Sequence, residues 1–255
     1  MENGLSSFEY HKFLLKHQVA TAMAAFLPSR SKADYRCLMY HSIVEQGCGH
    51  DIYKMSLQKF IHQMQILKNG PWELIPFDQV AVPNKKALSI TFDDGHRDNF
   101  ELVYPLLRKM QIPFTIFVIT DRVLQNDPAY LSHSQLVELS KDPLVTLGAH
   151  GKTHKPLASL PINEAIEELS ESKKDLEDTI GRGVNVMSFP LGQWNSELFS
   201  KAREIGYTRC GTSVAKGNVF AKMDGLVSRQ CLFSCESEVS FQQKLNGKWD
   251  FILAR

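Results

Sequence analysis

The chain has 255 residues, 43% of them hydrophobic, which suits one large core in a single α/β domain. Its 29 Lys and Arg balance 28 Asp and Glu, for a formal net charge of +1, and no long basic run is present. That excludes the phosphate-neutralising surface that nucleic-acid binding requires and leaves small anionic ligands open.

Five cysteines (Cys37, Cys48, Cys210, Cys231, Cys235) form no CxxC and leave one over under full pairing. Buried thiols in a reduced compartment are expected. The first apolar patch, VATAMAAFL at 19–27, is too short to span a bilayer. The segment before it is long and carries Glu2 and Glu9, unlike an export signal. Residues 5–27 are expected to form an amphipathic helix that packs on the domain or, alternatively, rests on a membrane surface. The expected boundaries are a helical extension over 1–33 and one domain over 34–255.

RCLMYHSIV at 36–44 predicts a buried strand ending at His41. SLQKFIHQMQILK at 56–68 predicts a helix, with Leu57, Phe60, Ile61, Met64 and Leu67 on one face and Ser56 as N-cap. ALSITF at 87–92 predicts a strand that delivers Asp93 and Asp94. A helix capped by Asp98 or Asn99 follows, then a strand over 113–119 that is apolar enough for burial on both faces. A helix over 132–141 and a strand over 144–149 lead to His150. Residues 161–180 predict a long polar helix with a narrow apolar stripe, ended by Gly181 and Gly183. A strand near 184–190, a helix ending at Gly206 and a strand over 207–213 complete the pattern. Strand and helix alternate with short links, which argues for a parallel sheet or barrel with helices outside. Sites in such folds collect at the C-terminal strand ends, where His41, Asp93, Asp94, His150 and Pro190 all fall.

Two of these stretches carry chemistry together. GAHGKTHKPL at 148–157 holds His150 and His154 in H-x-x-x-H spacing, which lets two imidazoles converge on one metal. Two histidines and one carboxylate make a standard open set for a catalytic metal. The second aspartate of the pair is then free to act as a general base. A nearby cation also explains how adjacent carboxylates can both stay ionised.

These residues resemble the polysaccharide deacetylases, the NodB-homology group of carbohydrate esterases. TFDDG stands unchanged at Thr91–Gly95, HGKTH matches the second motif, and SFPLG at 188–192 is a looser third. LMYHSI, IPFTIFVI and EIGYTRCGTS resemble the flanks, and the likeness covers roughly residues 36–215. The resemblance implies a distorted (β/α) barrel of about seven strands. It implies a divalent metal on Asp94, His150 and His154: zinc first, with cobalt, nickel, iron or manganese as alternatives. Asp93 takes the place of the base, and the backbone N–H of Leu191 the place that helps hold the oxyanion. The implied reaction is hydrolysis of an N-acyl group, usually acetyl, from an amino sugar.

The departures from the pattern are specific. Gly151 stands where Ser or Thr usually braces the metal loop. Ser188 replaces the arginine that commonly orients the base, and Leu191 replaces a tyrosine. Many members supply an acid from a histidine near the C-terminus, and this chain has no histidine after His154. His41 is the substitute candidate, its pKa expected to rise beside a carboxylate. His96 could line the pocket, His133 less so, and Trp194 could stack on a sugar ring. Arg229 could orient Asp93, but a surface salt bridge is the expected role. The expected substrate is a nucleotide-linked, lipid-linked or oligosaccharide amino sugar in cell-surface polysaccharide, lipopolysaccharide or glycolipid synthesis. The expected place is the cytoplasm, with the inner membrane face as the alternative within it. A deformylase on the same scaffold is a close variant. A catalytically weak carbohydrate-binding homologue and an amidohydrolase on a non-sugar amide are the alternatives.

Overall fold

The apolar runs become strands buried on both faces, and the polar amphipathic runs become helices around them. The computed structural model describes residues 5–27, 31–46, 49–79 and 85–250. Cys48 therefore lies outside the described residues. The first half runs helix α1 (Ser7–Phe26), strands β1 (Tyr35–Tyr40), β2 (Ser42–Val44) and β3 (Lys54–Ser56), helix α2 (Leu57–Asn69), and strands β4 (Glu73–Leu74) and β5 (Ala87–Phe92). A π-helical turn, Asn99–Val103, then leads into α3 (Tyr104–Met110), followed by β6 (Phe114–Val118), α4 (Thr120–Leu124), α5 (His133–Leu139) and β7 (Val145–Ala149). The rest is α6 (Ile162–Ile180), β8 (Val186–Ser188), α7 (Ser196–Ile205), β9 (Arg209–Thr212), β10 (Leu226–Ser228), β11 (Gln230–Cys231) and α8 (Glu238–Leu245).

The main sheet runs β10-β9-β8-β7-β6-β5-β1-β11, with β4 also on β5, and its ladders are parallel. β10 lies at one edge and β11 at the other, yet only Arg229 separates them in sequence. The chain crosses the open seam at that residue, so the sheet curls into a nearly closed barrel. Asn218 bridges the seam: its backbone pairs with Tyr35, and its side-chain amide bonds Ser228 in both directions at 2.9 Å.

Local chemistry sets the element ends. Ser56 accepts from the Lys59 amide and Ser132 closes a capping box with Gln135, while Gly181 ends α6 at φ 69°. Pro105 lacks an N–H and crowds the preceding turn, which accounts for the π-helical start before α3. The predicted strand over 36–44 divides at His41: β1 stays in the barrel, and β2 leaves to pair with β3. Asp98 does not cap with its side chain. Its carboxylate accepts from the Ser42 hydroxyl and the Ile43 amide and so holds β2 in place.

Strand alternation fixes the site. In β5, Leu88, Ile90 and Phe92 join the core under the helices, and Ala87 joins the apolar cluster inside the barrel with Tyr35, Cys37 and Phe117. Ser89 and Thr91 share Ala87's face, and Asp93 continues that inward column. α1 packs outside, with Phe13 against Phe233 (ring centroids 4.9 Å) and His17 3.2 Å from the buried Glu236. No helix among the described residues is long and apolar enough to cross a membrane.

Candidate metal centre

Asp93 and Asp94 follow β5 and diverge because the backbone turns between them. Asp93 is buried and points inward, whereas Asp94 adopts φ 73° and Gly95 φ 74°, which swings the second carboxylate toward β7. His150 ends β7 and is buried. His154 stands four residues on, after a tight loop, at φ 65°. One donor atom each from Asp94, His150 and His154 lie within 4.8 Å of one another.

This trio fits a divalent cation. The Nε2 atoms of His150 and His154 approach Asp94 Oδ1 at 3.4 and 3.3 Å, yet that buried oxygen has no hydrogen-bond partner. A buried anionic oxygen between two imidazole nitrogens is costly unless a cation satisfies it. The tautomer of His150 also suits a ligand. Its Nδ1 lies 3.0 Å from the Ser188 carbonyl, which can only accept, so Nδ1 carries the proton and Nε2 keeps its lone pair. Burial pushes the His154 pKa down to about 4 and keeps that imidazole neutral for coordination. Burial opposes ionisation of Asp94, but the imidazoles of His150 and His96 outweigh it and hold the carboxyl well below its usual range.

The histidine loop is braced from α6. Glu168, buried on that helix, accepts from the Lys152 amide (3.0 Å), the Thr153 amide (2.9 Å) and the Thr153 hydroxyl. It does the work expected of the missing Ser or Thr. Gly151 has φ 70°, and a Cβ there would lie 3.1 Å from the Pro190 ring. A side chain at 151 is therefore strained and crowded, and the brace comes from elsewhere. Pro190 itself sits behind the cleft wall and does not line it.

Arg229 overturns its expected surface role. It is fully buried, and its guanidinium donates to both Asp93 oxygens, Nη1–Oδ1 2.6 Å and Nη2–Oδ2 2.7 Å. Nε donates to the Thr212 carbonyl at 3.1 Å, and the group lies over the Phe117 ring. Gly211 leaves room for it, since a Cβ there would lie 2.7 Å from Arg229 Nε. The arginine absent at Ser188 is thus supplied from the seam. Ser188 instead brings its hydroxyl 2.6 Å from His150 Nδ1 and 3.3 Å from Asp93 Oδ1. Burial works against ionisation of Asp93, but Arg229 and then His150 outweigh it and keep its pKa below the ordinary value.

A cleft of about 850 Å³ opens over the trio, lined among others by His41, Tyr53, His96, Asp98, Tyr130, Leu191, Gln230 and Phe233. His96 stacks on Tyr130 at 5.1 Å with Nε2 3.5 Å from Asp94 Oδ2, so it is a wall of the site and not an exposed loop residue. His41 lines the cleft beside Tyr53, its Nδ1 buried without a partner. The expected rise in its pKa is reversed: burial lowers it, and the nearby Asp94 and Asp93 do not compensate. Gln230 carries two buried, unpartnered amide atoms on the same wall. Leu191 stands at the rim at φ 56°, 42% exposed. Trp194 does not line the cleft; it packs on the core with its ring edge toward Phe199, because the chain after Gly192 turns down toward α7. His133 is exposed at the start of α5, also outside the cleft.

Both the sequence and the fold have known counterparts. The polysaccharide deacetylase family profile matches residues 81–210. YxkH of Bacillus subtilis (strain 168) is 27% identical over 190 residues, which span 72% of this chain and 66% of that protein. The poly-beta-1,6-N-acetyl-D-glucosamine N-deacetylase of Staphylococcus aureus (strain MRSA252) is 22% identical over 218 residues, spanning 80% and 70% of the two chains. The solved structure of the Streptococcus pyogenes deacetylase PplD in complex with acetate shares the fold with a TM-score of 0.75. It is 22% identical, and the match covers 82% of this chain and 97% of that one.

Proposed function

This chain belongs to the polysaccharide deacetylase family, and from that premise we propose that it hydrolyses an N-acyl group, acetyl first and formyl second, from an amino-sugar unit. One observation carries the reading: adjacent aspartates are parted, Asp94 toward two imidazoles with an unpartnered oxygen and Asp93 onto a buried arginine. That division supplies a ligand set and a separate base from two neighbouring residues.

Asp94, His150 and His154 would hold the divalent cation, and a two-imidazole, one-carboxylate set suits zinc, with iron as the other metal such a set takes. Such an ion supplies Lewis-acid polarisation of the acyl carbonyl and acidifies a water molecule. Asp93 takes the proton from the attacking water, and Arg229 keeps it ionised and aimed. The Leu191 N–H donates to the developing oxyanion. A new C–O bond forms, the C–N bond breaks, and the proton held by Asp93 passes to the amine nitrogen, giving the free acid and the amino sugar. His41, neutral in its buried place, binds substrate through Nδ1, as do His96 and the Gln230 amide. The binding-only alternative loses one of its two supports, because Arg229 restores the partner that the base lacked at Ser188.

The substrate we favour is a lipid-linked or oligosaccharide N-acetylhexosamine in cell-surface glycan synthesis, met at the inner face of the membrane. The named activity of the Staphylococcus aureus relative supports the sugar class. The experiment is an acetate and formate release assay on N-acyl amino sugars and their oligomers, with and without a chelator. Acid and free amine should appear in equal amounts and stop on chelation. Release from a cyclic imide or other non-sugar amide, with none from any sugar, would overturn the reading.

A further inference from the structure

Most of the large exposed apolar side chains among the described residues are gathered on one helix. Five of the large hydrophobics that stand exposed among the described residues lie on α1: Phe8, Leu15, Val19, Met23 and Phe26. The others, Leu124, Leu191 and Val239, lie on three separate segments. Phe8, Leu15, Val19 and Phe26 are spaced so that a helix of 3.6 residues per turn keeps them within about 40° of one another. The ridge they form is about 27 Å long at 1.5 Å per residue. It is not the face that holds the helix to the body: Phe13, His17 and Ala24 do that, against Phe233, Glu236 and Trp249. The helix is therefore apolar on two sides and partnered on one.

The charges beside the ridge select the occupant. Lys12 and Lys16 are exposed and lie on its flank. Glu9 lies about 100° around the helix from Phe8, its carboxylate turned onto Ser6 in the capping box. Self-pairing of the ridge would bury two lysines per copy against a single acid on the same flank, Glu9, whose carboxylate Ser6 already engages. Lipid phosphates meet both needs, since lysine stems lie along apolar surface while their ammonium groups reach the headgroups. The helix also touches the cleft wall. Tyr10 stacks on His50 at 4.9 Å, one residue before the cleft-lining Asp51, and Phe13 leads through Phe233 and Tyr53 to His41.

We propose that α1 lies in the headgroup layer of an anionic lipid surface through Phe8, Leu15, Val19, Met23 and Phe26, with Lys12 and Lys16 on lipid phosphates, and sets the cleft beside that surface. That the substrate is then taken from the surface rests on the reaction proposed above; the docking does not. The test is co-sedimentation of the full chain with vesicles of mixed phosphatidylcholine and phosphatidylglycerol, and with vesicles of phosphatidylcholine alone. The wild type should pellet with the anionic vesicles, less so at high salt. The exposed triple variant Phe8→Gln, Leu15→Gln, Phe26→Gln should keep its circular dichroism and partition at least tenfold less. Lys12→Glu with Lys16→Glu should abolish the preference for anionic vesicles. A wild type left in solution with both vesicle types would overturn the proposal, as would a triple variant that pellets equally. So would a wild-type dimer in analytical ultracentrifugation that the triple variant dissolves while vesicles stay unbound; the ridge would then belong to a second copy. Vesicle binding is read without turnover, so an inactive protein in the acyl-release assay leaves this result standing.

Discussion

Arg229 holds Asp93 by both terminal guanidinium nitrogens, at 2.6 and 2.7 Å, across 136 residues of sequence and inside the barrel. The pair is buried and bidentate, a geometry in which an arginine fixes the direction as well as the charge of its partner. Asp93 must be ionised to take a proton, and its depressed pKa keeps it so. Arg229→Gln removes the counter-charge and leaves burial to raise that pKa. The variant should keep its metal, lose at least tenfold in rate near neutrality, and show the acid limb of its pH–rate profile at higher pH. An unmoved acid limb would mean that Arg229 only fills the seam.

Gly211 offers the same test without touching a charge. A methyl group there collides with Arg229 Nε and Cδ at 2.7 and 3.0 Å, both fixed by burial. Gly211→Ala should therefore displace the guanidinium and move the acid limb in the same direction as Arg229→Gln, with metal content unchanged. A profile identical to wild type would show that Arg229 adjusts without loosening Asp93.

His41 separates binding from proton donation. Burial lowers its pKa, so near pH 7 it carries no spare proton to give. His41→Ala should lose the same factor on an amide and on an activated ester, whose leaving group needs little protonation. A markedly larger loss on the amide would restore His41 as the acid.

The residues that chemistry requires in sequence runs were legible; those that arrive from a distance were not. Asp93, Asp94, His150 and His154 stand in two short motifs at the ends of apolar strands, each weak alone and specific in combination and through the family resemblance. Arg229 lies between strands of three and two residues, too short to register as strand, and its partner is 136 residues away in the sequence, at the end of a strand that β1 separates from β11. Glu168 did leave a signal, an acid beside Leu169 and one turn from Ala165 on the buried stripe of α6. A charge on an apolar face needs a buried partner, and here the partners are loop amides. Trp194 misled because an aromatic beside glycine suits a sugar platform and a packed corner equally well, and sequence spacing does not distinguish them.

Acid stability should depend on the buried ion pair behind α1. Burial opposes ionisation of Glu236, but Lys244, with His17, holds its pKa at about 2 against a model-compound value of 4.5. A depressed folded-state pKa gives stability that is present above 4.5 and lost as pH falls toward 2. The whole effect is on the order of 3 kcal/mol. Glu236→Gln leaves the Lys244 ammonium buried without its counter-charge and should lose roughly 3–5 kcal/mol at neutral pH. Urea midpoints measured from pH 5 down to pH 2 should fall more steeply for the wild type than for the variant. Parallel curves would place the acid sensitivity elsewhere.

In the proposed reaction two adjacent aspartates hold different posts, one on the metal and one on the proton. Metal content and turnover, measured side by side for Asp93→Asn and Asp94→Asn, test that division most directly. Asp93→Asn should retain stoichiometric metal while acyl release falls roughly 10²–10⁴-fold, the usual worth of a positioned base. Asp94→Asn should lose metal first and recover part of its rate at high metal concentration. Loss of metal from both variants alike, or near-normal turnover by metal-loaded Asp93→Asn, would contradict the division of labour.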